Sequence, residues 1–321
     1  MAGVFGGWAV ARLAGADRLR FAEAWSVPSL SFTPQVAAAA WAGALLLRGA
    51  GPAAATAVAG AALTGAVGLR AVPRRQSAAV GGTGPVLRVV TANLLVGRAE
   101  AEAVVELVAS KQADLLFVQE LTEKAEAGLE QAALGELLPH RVTQPVRYRT
   151  RDSIYSRYPL HGGPPMVPAS AARVCARLDL PSGQGVQLTC VHAGPPRYPW
   201  SPAATARWRG ELAALPGPGD GPHVVAGDFN ATLDHAEFRR LLRRGYADAA
   251  SQAGHGLSLT WGPRPGRRPT LLAIDHVLVD RGCAVLTTSV HRLAGSDHRG
   301  LYAELRLPAP DRRPDQAPPE P

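Results

Sequence analysis

The sequence predicts a mixed-sheet α/β sandwich behind an N-terminal apolar helical membrane segment, and three observations lead there. From residue 86 onward, short β-branched and apolar runs alternate with stretches of helical periodicity. Turn chemistry such as Pro181-Ser182-Gly183-Gln184-Gly185 joins neighbouring runs as hairpins, which favours mixed sheets over an all-parallel fold. The first 70 residues differ in composition from the rest, with acidic side chains nearly gone and Ala, Gly and Leu abundant.

Within that N-terminal part, residues 34–47 and 53–69 are uncharged and are separated by Arg48-Gly49-Ala50-Gly51-Pro52. Each is at or below the roughly 17–25 residues that cross a bilayer, and Ala and Gly add little insertion energy. They are read as transmembrane helices paired in a hairpin, with core helices packed on the following domain, or a poorly ordered extension, as the alternatives. Residues 3–14 form a third, shortened apolar stretch that Arg12 interrupts. No n-region, h-region and cleavage site follow one another, so a signal peptide is not expected. For a hairpin, Arg12, Arg18, Arg20, Arg70, Arg74 and Arg75 outweigh Arg48 and predict a cytoplasmic following domain; a third crossing would reverse that.

Residues 71–85 are rich in Pro, Gly and Arg and read as a linker, and 86–308 as one domain. Strands are expected at 86–94, 114–119, 153–156, 173–180, 186–191, 223–226, 274–279, 285–291 and 301–307. Helices are expected at 100–110, 203–214 and 236–243. The tail, 309–321, is Pro-rich and charged, and disorder is expected there.

A net charge of +8 suits a polyanion or an anionic membrane surface. The excess is almost all Arg, with Lys only at Lys111 and Lys124, so charge alone does not specify nucleic acid. Cys175, Cys190 and Cys283 lack zinc-site spacing; a Cys175–Cys190 bridge is conceivable across consecutive strands, but buried thiols are the better reading.

Polar residues gather at predicted strand ends. The sharpest instance is Val224-Val225-Ala226-Gly227-Asp228-Phe229-Asn230, where Asp228 and Asn230 can share a face. Others are Gly295-Ser296-Asp297-His298, Asn93, Gln119-Glu120, His192 and Asp275-His276. Any one of these fits a cap or a satisfied core group. Six in one domain point to a site, because ligands in open α/β sheets collect where strand ends converge. A serine nucleophile elbow, a dinucleotide fingerprint and a Walker loop are all absent.

In their order these residues resemble the endonuclease/exonuclease/phosphatase superfamily, which includes DNase I-like nucleases, abasic-site endonucleases, inositol polyphosphate 5-phosphatases and neutral sphingomyelinases. The resemblance runs through Thr91-Ala92-Asn93-Leu94, Val118-Gln119-Glu120, Tyr155-Ser156-Arg157-Tyr158-Pro159-Leu160, Val191-His192, Gly227-Asp228-Phe229-Asn230, Ile274-Asp275-His276-Val277 and Ser296-Asp297-His298. It implies a four-layer sandwich of two packed mixed β-sheets flanked by helices, and a divalent-metal-dependent phosphoester hydrolase. It further implies that Glu120, with Asn93 and Asp297, holds Mg²⁺ or Mn²⁺. Asp228 would orient or deprotonate the attacking water, with Asn230 fixing the phosphate geometry. His298 would contact the phosphate with its state set by Asp275, and His192 would stabilise or protonate the leaving oxygen. Leu95 stands where some members carry a further carboxylate, so a second metal ligand is missing there. Arg147, Tyr148, Arg151 and Asp152 match more loosely and are set at the rim. The expected substrate is a phosphoester of nucleic acid, an inositol phosphate or a phospholipid headgroup, and the segment Arg197-Tyr198-Pro199-Trp200 is a candidate substrate loop or a packed turn. The competing class is a membrane-tethered phospho-ligand-binding module without catalysis. The sequence points to no protein partner.

Overall fold

Runs of Val and Leu pair edge to edge into two six-stranded mixed sheets. The computed structural model describes residues 1–18, 23–74, 84–144, 149–163, 173–196, 201–219, 221–263 and 269–309. In the first sheet β1 (Val86–Asn93) runs parallel to β2 (Leu115–Leu121) and antiparallel to β12 (Arg299–Arg306). Strand β11 (Ala284–Arg292) closes one edge, and β4 (Arg151–Ser156) and β3 (His140–Thr143) close the other. The second sheet has the order β5 (Leu160–Gly162), β6 (Arg173–Asp179), β7 (Gly185–His192), β8 (His223–Asp228), β10 (Asp275–Asp280), β9 (Tyr246–Asp248). Only β7 and β8 are parallel there.

Alternation along the strands sorts side chains into layers. Leu87, Val89, Leu115 and Phe117 face Val174, Leu188, Val224 and Val277 in the core between the sheets. Their neighbours Val90, Ala92, Leu116 and Val118 face outward onto Val104 and Leu107 of α5 (Ala101–Ser110) and Leu129 of α6 (Glu123–Gln131). On the far side Val191, Val225 and Leu278 pack under Trp208 and Leu212 of α8 (Pro202–Ala213) and Phe238 of α9 (Ala236–Arg243). Helix, sheet, sheet and helix make the expected four-layer sandwich. The short strands β3, β5 and β9 and the one-turn helices α7 (Leu134–Leu137) and α10 (Ala249–Gln252) were not expected, since three or four residues are too few to show a period. All three cysteines are free. The register pairs Cys175 with Thr189 and Val174 with Cys190, so the two thiols leave the sheet on opposite faces.

The N-terminal part folds as α1 (Ala2–Ala14), α2 (Glu23–Leu30), α3 (Thr33–Leu46) and α4 (Ala50–Gly68). Arg12 does not interrupt the first apolar stretch. It sits in the last turn of α1, where a cation complements the helix dipole, and its Nε donates to Asp234 at 2.6 Å. Helices α1, α3 and α4 meet through Ala9, Ala37, Ala59 and Leu63, while Leu45 (87% exposed) and Val58 (69% exposed) project outward. Among the described residues α4 alone is long and apolar enough to cross a membrane; its 19 residues span about 28 Å.

The same helices rest on the sandwich. Arg70 Nη1 donates to Asp234 Oδ2 at 2.9 Å, so two guanidiniums meet a carboxylate with no exposed side-chain surface. His235 Nε2 lies 2.7 Å from the Val27 carbonyl and 3.2 Å from Ser31 Oγ, and Gln35 Nε2 donates to the Leu271 carbonyl at 2.6 Å. Beyond α4, the Arg74 N–H donates to the Gln252 carbonyl at 3.0 Å. Most of the expected linker, 75–83, and the expected disordered tail from 310 lie outside the described residues.

Candidate active site

Register brings the polar strand ends together. His192 at the end of β7 pairs with Asp228 at the end of β8, and Asp228 pairs with Asp275 at the start of β10. Three chemically active side chains therefore stand on adjacent strands of one sheet. Gly227 makes the close strand approach feasible: with φ 144°, a Cβ there would fall 1.9 Å from the Val191 carbonyl oxygen.

The other sheet supplies Asn93 and Glu120. At the end of β2 the pairing with β4 slips between Val118 and Leu121, and Glu120 adopts φ 58°. This irregularity splits the Gln119-Glu120 pair. Gln119 is fully buried, donating from Nε2 to Cys190 Sγ at 3.2 Å, whereas Glu120 faces the site. Asn93 joins the two sheets: its Nδ2 donates to Glu120 Oε1 at 3.2 Å and to Asp228 Oδ2 at 3.1 Å.

Around Asp228 the contacts are dense. The Asn230 N–H donates to Oδ1 at 2.8 Å, and Asn230 Nδ2 donates to Oδ2 at 3.3 Å and to the Ala193 carbonyl at 2.8 Å. His298 Nδ1 lies 2.9 Å from Asp275 Oδ2, which directs Nε2 toward Asp228 Oδ2 at 3.8 Å and Asp297 Oδ1 at 3.9 Å. The Gly295 turn delivers this segment against Arg98, whose carbonyl lies 2.1 Å from where a Gly295 Cβ would be. Ser296 Oγ then donates to the Asn93 carbonyl at 2.8 Å. On the opposite flank His192 Nε2 lies 3.5 Å from Glu120 Oε1, and Nδ1 lies 3.5 Å from Asp152 Oδ1.

Burial and charge set the protonation states. Burial opposes the charge on Glu120, but His192, Asn93 and the Val96 N–H together outweigh it and hold the carboxyl down at about 2. Burial likewise disfavours charge on His192, yet Asp152, Glu120 and Asp228 push it well above the ordinary imidazole range. His298 is raised to about 9: burial lowers it, and Asp275 first, then Asp228 and Asp297, more than compensate. Asp228 moves the other way for a carboxyl, up to about 6, because burial and Asp275 exceed the attraction of His298 and His192. The arrangement thus offers two imidazolium groups, the anionic Glu120 and, in Asp228, a carboxyl poised near neutrality.

Two observations bear on a divalent cation. Asp228, Asp275 and His298 offer ligand atoms within 4.8 Å of one another. Asp297 has Oδ2 bonded to Trp261 Nε1 at 3.1 Å, but its buried Oδ1 has no hydrogen-bond partner among the described residues. With the anionic Glu120, this oxygen-rich set suits a hard cation such as Mg²⁺ or Mn²⁺. Asn93 Oδ1 accepts from the Leu95 N–H at 3.0 Å, so the amide as placed turns its NH₂ toward the carboxylates.

All eight sequence-predicted site residues, namely Asn93, Glu120, His192, Asp228, Asn230, Asp275, Asp297 and His298, join this one connected network. His276 does not. As the next residue along β10 it faces away from Asp275, bonding Asp248 at 2.8 Å and packing on Phe238. Asp152, set at the rim by sequence, is buried and touches both His192 and the Glu120 N–H. An acidic residue opening an apolar strand was the signal available for it. Nothing local to Trp261 marks it as a partner of Asp297. Arg147, Tyr148 and the 197–200 segment lie outside the described residues.

Residues 90–298 match the model of the Endonuclease/Exonuclease/phosphatase family. No curated protein matched the sequence. Among solved structures, humanised D. rerio TDP2 superposes with a TM-score of 0.54 at 17% identity, covering 69% of this chain and 99% of that one. D. rerio TDP2 complexed with a single-strand DNA product gives 0.53 at 16% identity, with coverages of 69% and 99%. An endonuclease/exonuclease/phosphatase from Beutenbergia cavernae gives 0.51 at 17% identity, covering 69% of this chain and 72% of the other. At these identities the superpositions speak for the fold.

Proposed function

The chain belongs to the endonuclease/exonuclease/phosphatase family, and on that premise we propose that it is a divalent-metal-dependent phosphoester hydrolase held at a membrane by its N-terminal helices. The observation that carries the catalytic reading is the Asn93 bridge, which joins Glu120 of one sheet to Asp228 of the other, beside two histidines each paired with an aspartate. Glu120 and Asp297 would hold Mg²⁺ or Mn²⁺, with Asn93, expected as a third ligand, instead orienting Glu120 through its NH₂, and the ion when bound supplies Lewis-acid polarisation of a phosphoryl oxygen.

Asp228, with Oδ1 fixed by the Asn230 N–H and a pKa near neutrality, accepts a proton from the attacking water. Asn230 holds that carboxylate in register through the Ala193 carbonyl. His298, kept as an imidazolium by Asp275, places Nε2–H toward the phosphate and stabilises charge there as it develops. His192, cationic beside Asp152 and Glu120, delivers its proton to the leaving oxygen.

The tether reading rests on the length and apolarity of α4 and on the exposed Leu45 and Val58. Arg12 and Arg70 lie at the sandwich ends of α1 and α4, which favours a cytoplasmic face for the catalytic domain. That the D. rerio neighbour was solved with a DNA product supports putting nucleic acid first among substrates to be tried.

The experiment is a screen of single- and double-stranded DNA, inositol phosphates and phospholipids with Mg²⁺ against an EDTA control. The hydrolase reading expects cleavage that EDTA abolishes and that Asp228→Asn and His298→Ala each reduce by about 10² or more. Binding of phosphorylated ligands with no turnover under any metal would replace it with the binding-module reading.

A further inference from the structure

A polar cavity lies on the flank of the sandwich, away from the catalytic strand ends. It measures about 430 Å³ and is lined by Arg74, Arg239, Arg243 and Arg281 together with Tyr246 and Gln252. Arg281 follows the end of β10, and five residues of strand, about 17 Å, separate Asp280 from the catalytic Asp275. The cavity is therefore not an extension of the active site.

Its charge is one-sided. Asp248 is the sole carboxylate in the lining, and both its oxygens are engaged: Oδ2 with His276 Nδ1 at 2.8 Å and Oδ1 with the Ser251 N–H at 2.7 Å. Asp280 turns its oxygens to the His223 and Gly282 N–H groups, and Glu237 faces Arg240. Among the described residues Arg74, Arg243 and Arg281 form no ion pair. The fold nonetheless holds the rim in place. Arg239 donates to the Leu233 carbonyl at 3.2 Å, Arg281 to the Leu242 carbonyl at 3.4 Å, and the Arg74 backbone is pinned on Gln252. Gathering like charges at one rim costs free energy in a folded protein unless an anion offsets it.

We propose that this cavity is a binding site for a phosphate group carried on a small molecule or lipid headgroup. Guanidinium forks match phosphate oxygens in pairs, and the volume suits a phosphorylated headgroup. Chain geometry adds a source. Arg74 lies six residues past Gly68, the end of α4, so it stands within about 21 Å of that helix end. If α4 crosses a bilayer, the cavity lies within reach of anionic lipid headgroups; this arm alone rests on the tether reading.

The test uses the full chain in detergent with EDTA, on a His298→Ala background so that phosphate at the catalytic centre does not contribute. Glycerol phosphate and inorganic phosphate are titrated calorimetrically, and the double variant Arg243→Gln/Arg281→Gln is compared with Arg177→Gln, an exposed arginine elsewhere. The site requires saturable binding that weakens about tenfold or more in the double variant and not in the control. In parallel, reconstitution into phosphatidylcholine vesicles with and without phosphatidylglycerol identifies the source: a phosphatidylglycerol preference lost in the double variant assigns the lipid. Phosphate binding without vesicle association keeps the site and removes the tether. Equal weakening by Arg177→Gln, or no loss in the double variant, shows only the diffuse attraction of a basic protein and overturns the proposal.

Discussion

Replacing Asp275 by Asn tests the electrostatics of the candidate site most directly. His298 is 7% exposed and its pKa stands at about 9 against an ordinary 6.5, so the folded state favours the imidazolium by roughly 3 kcal/mol. Asp275 is the largest favourable cause, and without its charge burial pulls the imidazole down. We expect a fall of about two units or more. At pH 7.5 the protonated fraction would then drop from about 97% to about 24% or less.

The sign for stability follows from the raised pKa. The contribution is fully present below pH 6.5 and disappears as pH rises through about 9. Asp275→Asn should therefore destabilise the chain by about 2–3 kcal/mol at pH 6, and by progressively less toward pH 10. Denaturant unfolding in EDTA across that range measures this, and imidazole NMR titration reads His298 directly. Turnover at pH 7.5 should fall by about fourfold or more as the cationic fraction at the phosphate drops. The same destabilisation at pH 6 and pH 10, or a His298 that titrates where it did before, would sink the argument.

Further outcomes are expected from other positions. Glu120→Gln removes the anionic oxygen at nearly constant shape and should move half-maximal Mg²⁺ activation up by about tenfold or more; an unchanged metal titration would make Glu120 a structural cap only. Asp234→Asn leaves Arg12 and Arg70 buried against a neutral amide, and chemical unfolding in detergent should show a loss of about 3–5 kcal/mol. A loss under about 1 kcal/mol would mean that this cluster does not hold the helices. The full chain should require detergent for extraction, and recovery in the soluble fraction without it would remove the membrane reading.

Much of the fold was legible because a period survives in most of its longer elements, although the nine-residue α6 was not expected. The apolar runs of β1, β2, β7 and β8 carry their own signature, and α9 was expected over the residues it occupies. Edge elements such as β5, a Leu-His-Gly strand, become strands only because β6 offers them hydrogen bonds. Arg12 shows the same limit in α1. Along the chain it breaks an apolar stretch, and in space it meets a carboxylate 222 residues away.

By itself the sequence marked the polar strand ends that the fold gathers: Asn93, Glu120, His192, Asp228, Asn230, Asp275, Asp297 and His298 are all short-range features of strand-and-loop grammar. Tertiary structure supplied the reason that one of two adjacent polar residues faces the site and the other does not. A pairing slip and a positive φ turn Glu120 out and Gln119 in, and the β pleat sends Asp275 and His276 to opposite faces. The contacts of Asp152 with His192 and of Trp261 with Asp297 were likewise made by packing. The reason is physical. A strand's period is encoded in neighbouring residues, whereas a pKa depends on the charges and burial within a few ångströms in space, which no local pattern records.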